Sequence, residues 1–456
     1  MHTFNQLAYP SVNEMMFGRA LHPVTCGFGS LVIGGGLVYP EVKYTLPTMA
    51  VTPETHTEVL QQYETMTQSV LARAVALDVP GLVIEFEHPP QMTDRVEVGV
   101  EITALLARMM QDAYQTHGLK SALRATICDI REQGKPPRIR TGEAVEGVLR
   151  SFAENAQAGA HMLSIESIGG KEVSDRALLE ADVPGLLLAL GILAPRDMHF
   201  LWREIVAIAH THHVVPAGDT ACGFGNTAMV LADKQYIPNV LAAVVRAMTA
   251  VRSLVAYEEG AVGPSKDCAY EDPVIKAITG LPISMEGKAA ACAHLSHVGN
   301  IAAAVCDLWS NESVQNVKLL SGFAPEVFTE VLAYDCRLMN QAIAVGQEKV
   351  LQQLLVDTDE HKSVHALIIS PQSSYRLAEA IVQETGDFNR THRAARTACQ
   401  IIREAVQSER LRLPKREITW LARIEGQLEA FAYETKVLDY GFTTYQEQFL
   451  PQEYGL

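Results

Sequence analysis

The four residues Cys-Gly-Phe-Gly occur twice, as Cys26–Gly29 and as Cys222–Gly225. A cysteine beside glycines serves as a metal ligand, a nucleophile, or a small residue at a tight turn, so each copy raises the question of what completes a site around it. Three reactive side chains fall where strand-like stretches end. Glu166 closes "HMLSIES" (161–167) ahead of Ile168-Gly169-Gly170, Cys222 lies just past "HHVVPAGD" (212–219), and Cys268 sits in "GPSKDCAYEDP", before a helix starting near Asp272-Pro273. The stretches between them are long enough for βα units, so three separate strand ends are able to meet at one point. One carboxylate and two thiolates are zinc donors, and three protein ligands with a fourth position open is the catalytic arrangement. Spacing alone leaves other readings open: a buried cysteine is more often a small core residue than a ligand, Glu166 suits a salt bridge, and the glycines suit a turn.

The elements that must position these groups alternate along the chain. Thr52-Pro53-Glu54 reads as a helix start, with Val59, Tyr63, Met66 and Val70 behind it on one face. "GLVIEF" (81–86) follows as a strand, then a helix over 95–116, a strand "SALRATICDI" (121–130), a helix over 144–159, and the strands ending near Glu166 and Asp219. Strands alternating with helices of this length imply βαβ units and a parallel sheet. From about residue 322 the pattern is helical, with Phe328, Leu332, Cys336, Met339 and Ile343 as one stripe. The expected fold is α/β, a (β/α)8 TIM barrel, with a doubly wound open sheet as the structural alternative. Residues 1–50 are expected to be an N-terminal extension packed on the barrel, 51–330 the barrel core, and 331–456 a mainly helical part of the same domain.

Composition narrows the function classes. The 456 residues carry 37 Lys and Arg against 53 Asp and Glu, a formal charge of −16, which disfavours a nucleic-acid partner. The N-terminal residues show no basic region followed by an apolar run, and the apolar run Gly185–Leu193 is too short to cross a bilayer. Eight cysteines spread over this length read as reduced thiols, which suits the cytoplasm, rather than as a disulfide framework. Gly34-Gly35-Gly36 lacks the spacing of a dinucleotide loop. His294 and His297, three apart on a helix, read as helix surface or core rather than metal ligands, and His210, His212 and His213, before their strand, as neutral hydrogen-bonded histidines.

Three blocks carry a resemblance: "SIESIGGKEVSD" (164–175), "PAGDTACGFGNTAMVLADKQYIP" (216–238) and "GPSKDCAYEDPVIKAITGLPISMEGKAAACAHLSHVGN" (263–300). Together they resemble the zinc subunit of methanol–corrinoid methyltransferases, and the resemblance runs over most of the chain. It implies a (β/α)8 barrel holding one zinc through Glu166, Cys222 and Cys268, and a corrinoid-carrying partner protein around a homodimer of this subunit. The first Cys-Gly-Phe-Gly, with Cys26, is then a structural turn. Asp197-Met198-His199 resembles the start of the Asp-x-His-x-x-Gly motif by which corrinoid proteins bind cobalt, but Trp202 stands where glycine belongs. The chain is therefore expected not to hold the corrinoid itself.

The implied chemistry is methyl transfer from methanol to Co(I) of the partner's corrinoid. Methanol is a poor donor because hydroxide must leave; zinc on the oxygen eases departure, as the fall of water's pKa from about 15.7 to about 7 on zinc indicates. An acid that protonates the leaving oxygen would help further. Glu85 and Glu87 end one strand, Asp129 ends the next, and Asp219 and Asp267 flank the cysteines; each is a candidate acid or a partner to the ligands, with a simple salt bridge as the alternative. Two other functions stay open: a zinc enzyme that activates a thiol, of the coenzyme M type, and a non-catalytic scaffold with structural zinc.

Overall fold

Seven parallel strands form the centre of the molecule: β1 (Tyr39–Tyr44), β2 (Leu82–Glu87), β3 (Ser121–Ile127), β4 (Met162–Ile165), β5 (Val215–Asp219), β6 (Ser284–Glu286) and β7 (Leu308–Ser313). In this computed structural model, which describes residues 2–44, 49–266, 268, 270–293, 295–314, 317–320 and 322–456, they pair in the order β5-β4-β3-β2-β1-β7-β6. Residues 261–266 fill the gap between the two ends of that sheet. The N–H groups of Val262 and Gly263 donate to the carbonyls of Pro216 and Ala217, both at 2.9 Å, and Ser265 N–H donates to Pro282 O at 3.3 Å. With this segment counted, the strands run around the ring in chain order, which is a closed barrel and not an open doubly wound sheet. The eighth member is no regular strand because Pro264 has no N–H to give and Gly263 has a left-handed φ of 76°.

Helices cover the sheet: α1 (His56–Ala76), α2 (Val96–His117), α3 (Glu143–Gln157), α4 (Ala194–His212), α5 (Cys222–Asp233), α6 (Asn239–Glu258) and α7 (Ala324–Ala344). Val59, Tyr63, Met66 and Val70 of α1 are buried as one face. The helix begins at His56, later than Thr52-Pro53-Glu54, because Thr52 N–H donates to Thr55 Oγ1 at 2.9 Å and holds those residues in a turn. The apolar run 185–193 continues from Val183 into α4 through one π-helical turn and is wholly buried. Helix α6 is long and apolar enough to cross a membrane by length and composition, and its apolar stretch is entirely buried inside the fold.

Two further parts wrap the barrel. Strands Arg19–Cys26 and Leu31–Gly35 make an antiparallel hairpin at the amino ends of the barrel strands. Phe28 and Ser121 exchange backbone hydrogen bonds there. The first strand of the sheet, β1, thus falls within residues 1–50. From α7 onward the described chain is helical except for connections, ending in a 3-10 turn at Pro451–Tyr454, and the helix Asp387–Gln407 packs along α6. Leu332, Cys336 and Met339 are buried on the inner side of α7, while Val331, Tyr334 and Leu338 are exposed on its outer side.

Candidate metal centre

Glu166, Cys222 and Cys268 come from three neighbouring positions around the barrel, all at the carboxyl ends. Glu166 follows β4, Cys222 is the first residue of α5 after β5, and Cys268 follows the irregular eighth member. One ligand atom from each, a carboxylate oxygen and two Sγ, lie within 4.8 Å of one another. Cys268 Sγ donates to Glu166 Oε1 at 3.3 Å. The Glu166 side chain is 28% exposed, so the cluster opens onto the strand-end face.

The donor set fits a soft divalent cation. The neighbouring Cys222 thiol, and then burial, push the Cys268 thiol well up. Contact with Cys268 favours the Cys222 thiolate, but burial and the Glu166 carboxylate outweigh it and raise Cys222 as well. Burial opposes ionised Glu166, yet Lys266 and Lys43 hold its carboxyl below the usual range. Two protonated thiols crowded against a carboxylate form a site that zinc, with its affinity for sulfur and oxygen, satisfies better than protons do.

Two buried lysines frame this cluster. Lys266 Nζ lies 2.8 Å from Glu166 Oε1, 3.2 Å from Glu85 Oε1 and 3.6 Å from Cys268 Sγ. Burial works against its charge, but Cys268, Glu166 and Glu85 raise its pKa well above the ordinary value. Lys43 Nζ lies 3.8 Å from Cys268 Sγ, 3.3 Å from Glu87 Oε2 and 3.1 Å from Glu312 Oε1. Below them, Arg124 donates to Glu41 at 2.7 Å and to Ser164 at 2.9 Å, and Ser284 donates to Glu41. The barrel interior is therefore a layered charge network, not an apolar core.

The candidate carboxylates divide by position. Glu85 is fully buried, accepts from Thr126 Oγ1 at 2.7 Å and pairs with Lys266. Burial pushes the Glu87 carboxyl up to about 7 against the pull of Lys43. Asp129 and Asp219 hold backbone: Asp129 Oδ2 accepts from Ile168 N–H at 3.1 Å, and Asp219 Oδ1 from Ser167 N–H at 3.3 Å. Arg131 binds Asp129 and Asp197 together, and Arg252 and Trp202 Nε1 bind Asp219. These two aspartates brace the loop that follows Glu166. Asp267, His294 and the side chain of Cys292 lie outside the described residues.

The corrinoid-motif residues are engaged elsewhere. Asp197 is clamped by Arg131, and His199 bonds Glu259 at 2.7 Å and Asp387 at 3.3 Å. Cys26 ends the first strand of the hairpin at the opposite end of the barrel, where a Cβ on Gly27 would lie 2.2 Å from Ser121 O, so its glycine serves the turn. Cys26→Ala is expected to retain metal and activity; loss of metal, measured by elemental analysis, would show that the first Cys-Gly-Phe-Gly is not structural.

Sequence reasoning did not single out Lys43, Lys266, Arg131, Arg252 or Asn226. Asn226 Nδ2 donates to Cys222 Sγ at 3.2 Å from one helical turn on. A signal for two of them was present in proximity alone: Lys266 lies two residues before Cys268, and Arg131 two after Asp129.

A closed parallel barrel with reactive groups gathered at the carboxyl ends of its strands is an enzyme architecture of the TIM-barrel class. Within that class, the chain belongs to the methanol-cobalamin methyltransferase B subunit family, whose model matches residues 1–455. It is 38% identical to a methanol–corrinoid protein co-methyltransferase of Methanosarcina barkeri, over 99% of each chain. Its structure is similar to the crystal structure of the methanol:cobalamin methyltransferase complex MtaBC from Methanosarcina barkeri, with a TM-score of 0.95, 37% identity and full coverage of both chains.

Proposed function

We propose that this protein is the zinc-dependent subunit that activates methanol and passes its methyl group to the Co(I) corrinoid of a partner protein. The observation that carries the reading is the convergence of Glu166, Cys222 and Cys268 at the strand-end face. These residues would hold the zinc, which when bound polarises the C–O bond of methanol through its oxygen. The remaining work belongs to the chain itself. Lys43 and Lys266 offset the negative charge gathered by the ligands, so that the donor set stays assembled in a buried place. Glu85, committed to Thr126 and Lys266, fixes Lys266 against Glu166. Glu87 carries an exchangeable proton near neutral pH and donates it to the oxygen that leaves the methyl group.

The corrinoid arrives on a second protein that docks over the strand-end face. The engagement of Asp197 by Arg131 and of His199 by Glu259 and Asp387 supports a separate carrier. The purified chain should therefore be colourless and inert toward methanol, and added reduced corrinoid protein should restore methanol-dependent methylation of cobalt, followed by its absorption spectrum. Corrinoid absorbance in the chain alone, with cobalt near one per protein, would recast Asp197 and His199 as cofactor residues. Methylation that depends on added thiol would favour the thiol-activating alternative. A pair of such subunits and a cytoplasmic setting complete the proposal: the exposed apolar stripe Val331, Tyr334 and Leu338 supports pairing, and free cysteines suit a reducing compartment. Sedimentation of the purified chain tests the pairing, with a monomer at all concentrations counting against it.

A further inference from the structure

We propose that the carboxyl-terminal segment, residues 450–456, is a positioning element for Glu166, returning from the far end of the chain to fix the loop that carries this ligand. The loop Ser167–Gly170 contains two glycines, Gly170 with a φ of 79°, and ends in a turn closed by Lys171 N–H on Ile168 O at 2.9 Å. Its amides are taken up by side chains from three different places. Ser167 N–H goes to Asp219 and Ile168 N–H to Asp129, as described above, and Gly170 N–H donates to the Tyr454 hydroxyl at 3.0 Å. The first two acceptors belong to the barrel. Tyr454 does not: it is nearly fully buried, two residues before the last residue, Leu456.

The segment is itself tied to the strand-end loops. Glu453 accepts from Arg140 N–H at 2.7 Å and from Thr141 Oγ1 at 2.6 Å, and Arg196 Nη1 donates to Gly455 O at 3.1 Å. Arg131, which clamps Asp129 and Asp197, also donates to Ile139 O at 2.8 Å, in the same stretch that holds Glu453. Gly169 packs against this clamp so closely that a Cβ there would lie 2.3 Å from Asp197 Cβ. The loop after Glu166 is thus held on one side by the Arg131 clamp and on the other by Tyr454. A loop with two glycines and one of its anchors removed samples more positions, and a ligand that must meet two thiolates loses affinity when its position spreads.

The proposal rests on Glu166 being a ligand, and its test separates the two claims. Zinc affinity is measured by competition with a chromophoric chelator, together with the visible spectrum of the cobalt(II)-substituted protein and the thermal midpoint. Tyr454→Phe, which removes only the hydroxyl, is expected to weaken zinc about tenfold, the lower end for loss of an outer support, and to alter the cobalt(II) bands with the thermal midpoint nearly unchanged. Glu166→Ala should weaken zinc more, and adding Tyr454→Phe to it should cost nothing further, because no carboxylate remains to position. Unchanged affinity and spectrum in Tyr454→Phe, or a full additional loss in the double variant, overturns the positioning role. Unchanged affinity in Glu166→Ala overturns the ligand reading itself.

Discussion

Cys268→Ala and Cys222→Ala are each expected to bind zinc roughly a thousandfold more weakly than the parent chain. The estimate comes from sharing the ~10–16 kcal/mol typical of a zinc–protein site among its ligands, which leaves ~3–5 kcal/mol for each. Cys268 should show the larger secondary damage. It is fully buried, and both Lys43 and Lys266 lie within 4 Å of its sulfur. Removing it leaves two buried ammonium groups short of one partner, although Glu87, Glu312, Glu85 and Glu166 still hold them. Cys222 is less buried and leans on Asn226, so Cys222→Ala should lose metal with little loss of thermal stability. Elemental analysis, chelator competition and a melting curve on the two variants distinguish these outcomes. Full, tight zinc in either variant means that the cysteine is not a ligand.

The fold was legible in the strands that keep an apolar run and illegible in those where charged interior residues break it. β2, β3 and β4 carry apolar runs that announce strands, and the helices between them keep a regular apolar face. β1, β6 and β7 do not. Their sequences, "YPEVKY", "SME" and "LWSNES", hold Glu41, Lys43, Glu286 and Glu312 among strand residues. In a barrel those side chains alternate inward with outward ones, and here Glu41 and Lys43 enter the network with Arg124 and around Cys268. A hydropathy pattern reads such residues as surface. The eighth member was invisible for another reason, since Gly263-Pro264 marks a turn in any local reading.

The candidate site was legible in residue types and not in their environment. Strand-end positions allowed a carboxylate and two cysteines to meet without requiring it; the family resemblance selected Glu166, Cys222 and Cys268, and the structure brings those three together. What a linear sequence does not carry is which acids are already spoken for. Asp129 looked as available as Glu87 until Arg131 joined it to Asp197, 66 residues further on. Asp219 flanks Cys222 closely in sequence, yet its oxygens are taken by Arg252, Trp202 and the Ser167 amide. Lys43 and Lys266 were overlooked because buried lysines are rare and are recognised only by the carboxylates around them.

Among the described candidate acids, Glu87 is the one proposed as the proton donor, and Glu87→Gln carries the second large effect. Loss of a general acid typically costs 10²- to 10⁴-fold in rate, so cobalt methylation by Glu87→Gln should fall by about that factor. Zinc content should stay unchanged, because the salt bridge of Glu87 runs to Lys43, for which glutamine keeps an acceptor. The pH dependence fixes the sign. Burial raises this carboxyl to about 7, and the acid works only while protonated. Single-turnover methylation with pre-reduced corrinoid should therefore be fast below about pH 7 and decline as pH rises through it. Metal loading should leave that limb near the same place: two thiolates and a carboxylate against Zn2+ carry one net negative charge, as does ionised Glu166 beside two protonated thiols. Lys43 pulls the Glu87 carboxyl down, so Lys43→Met should move the limb to higher pH, whereas Glu87→Gln should abolish it. A Glu87→Gln enzyme that keeps both its rate and its limb would assign the proton to another group.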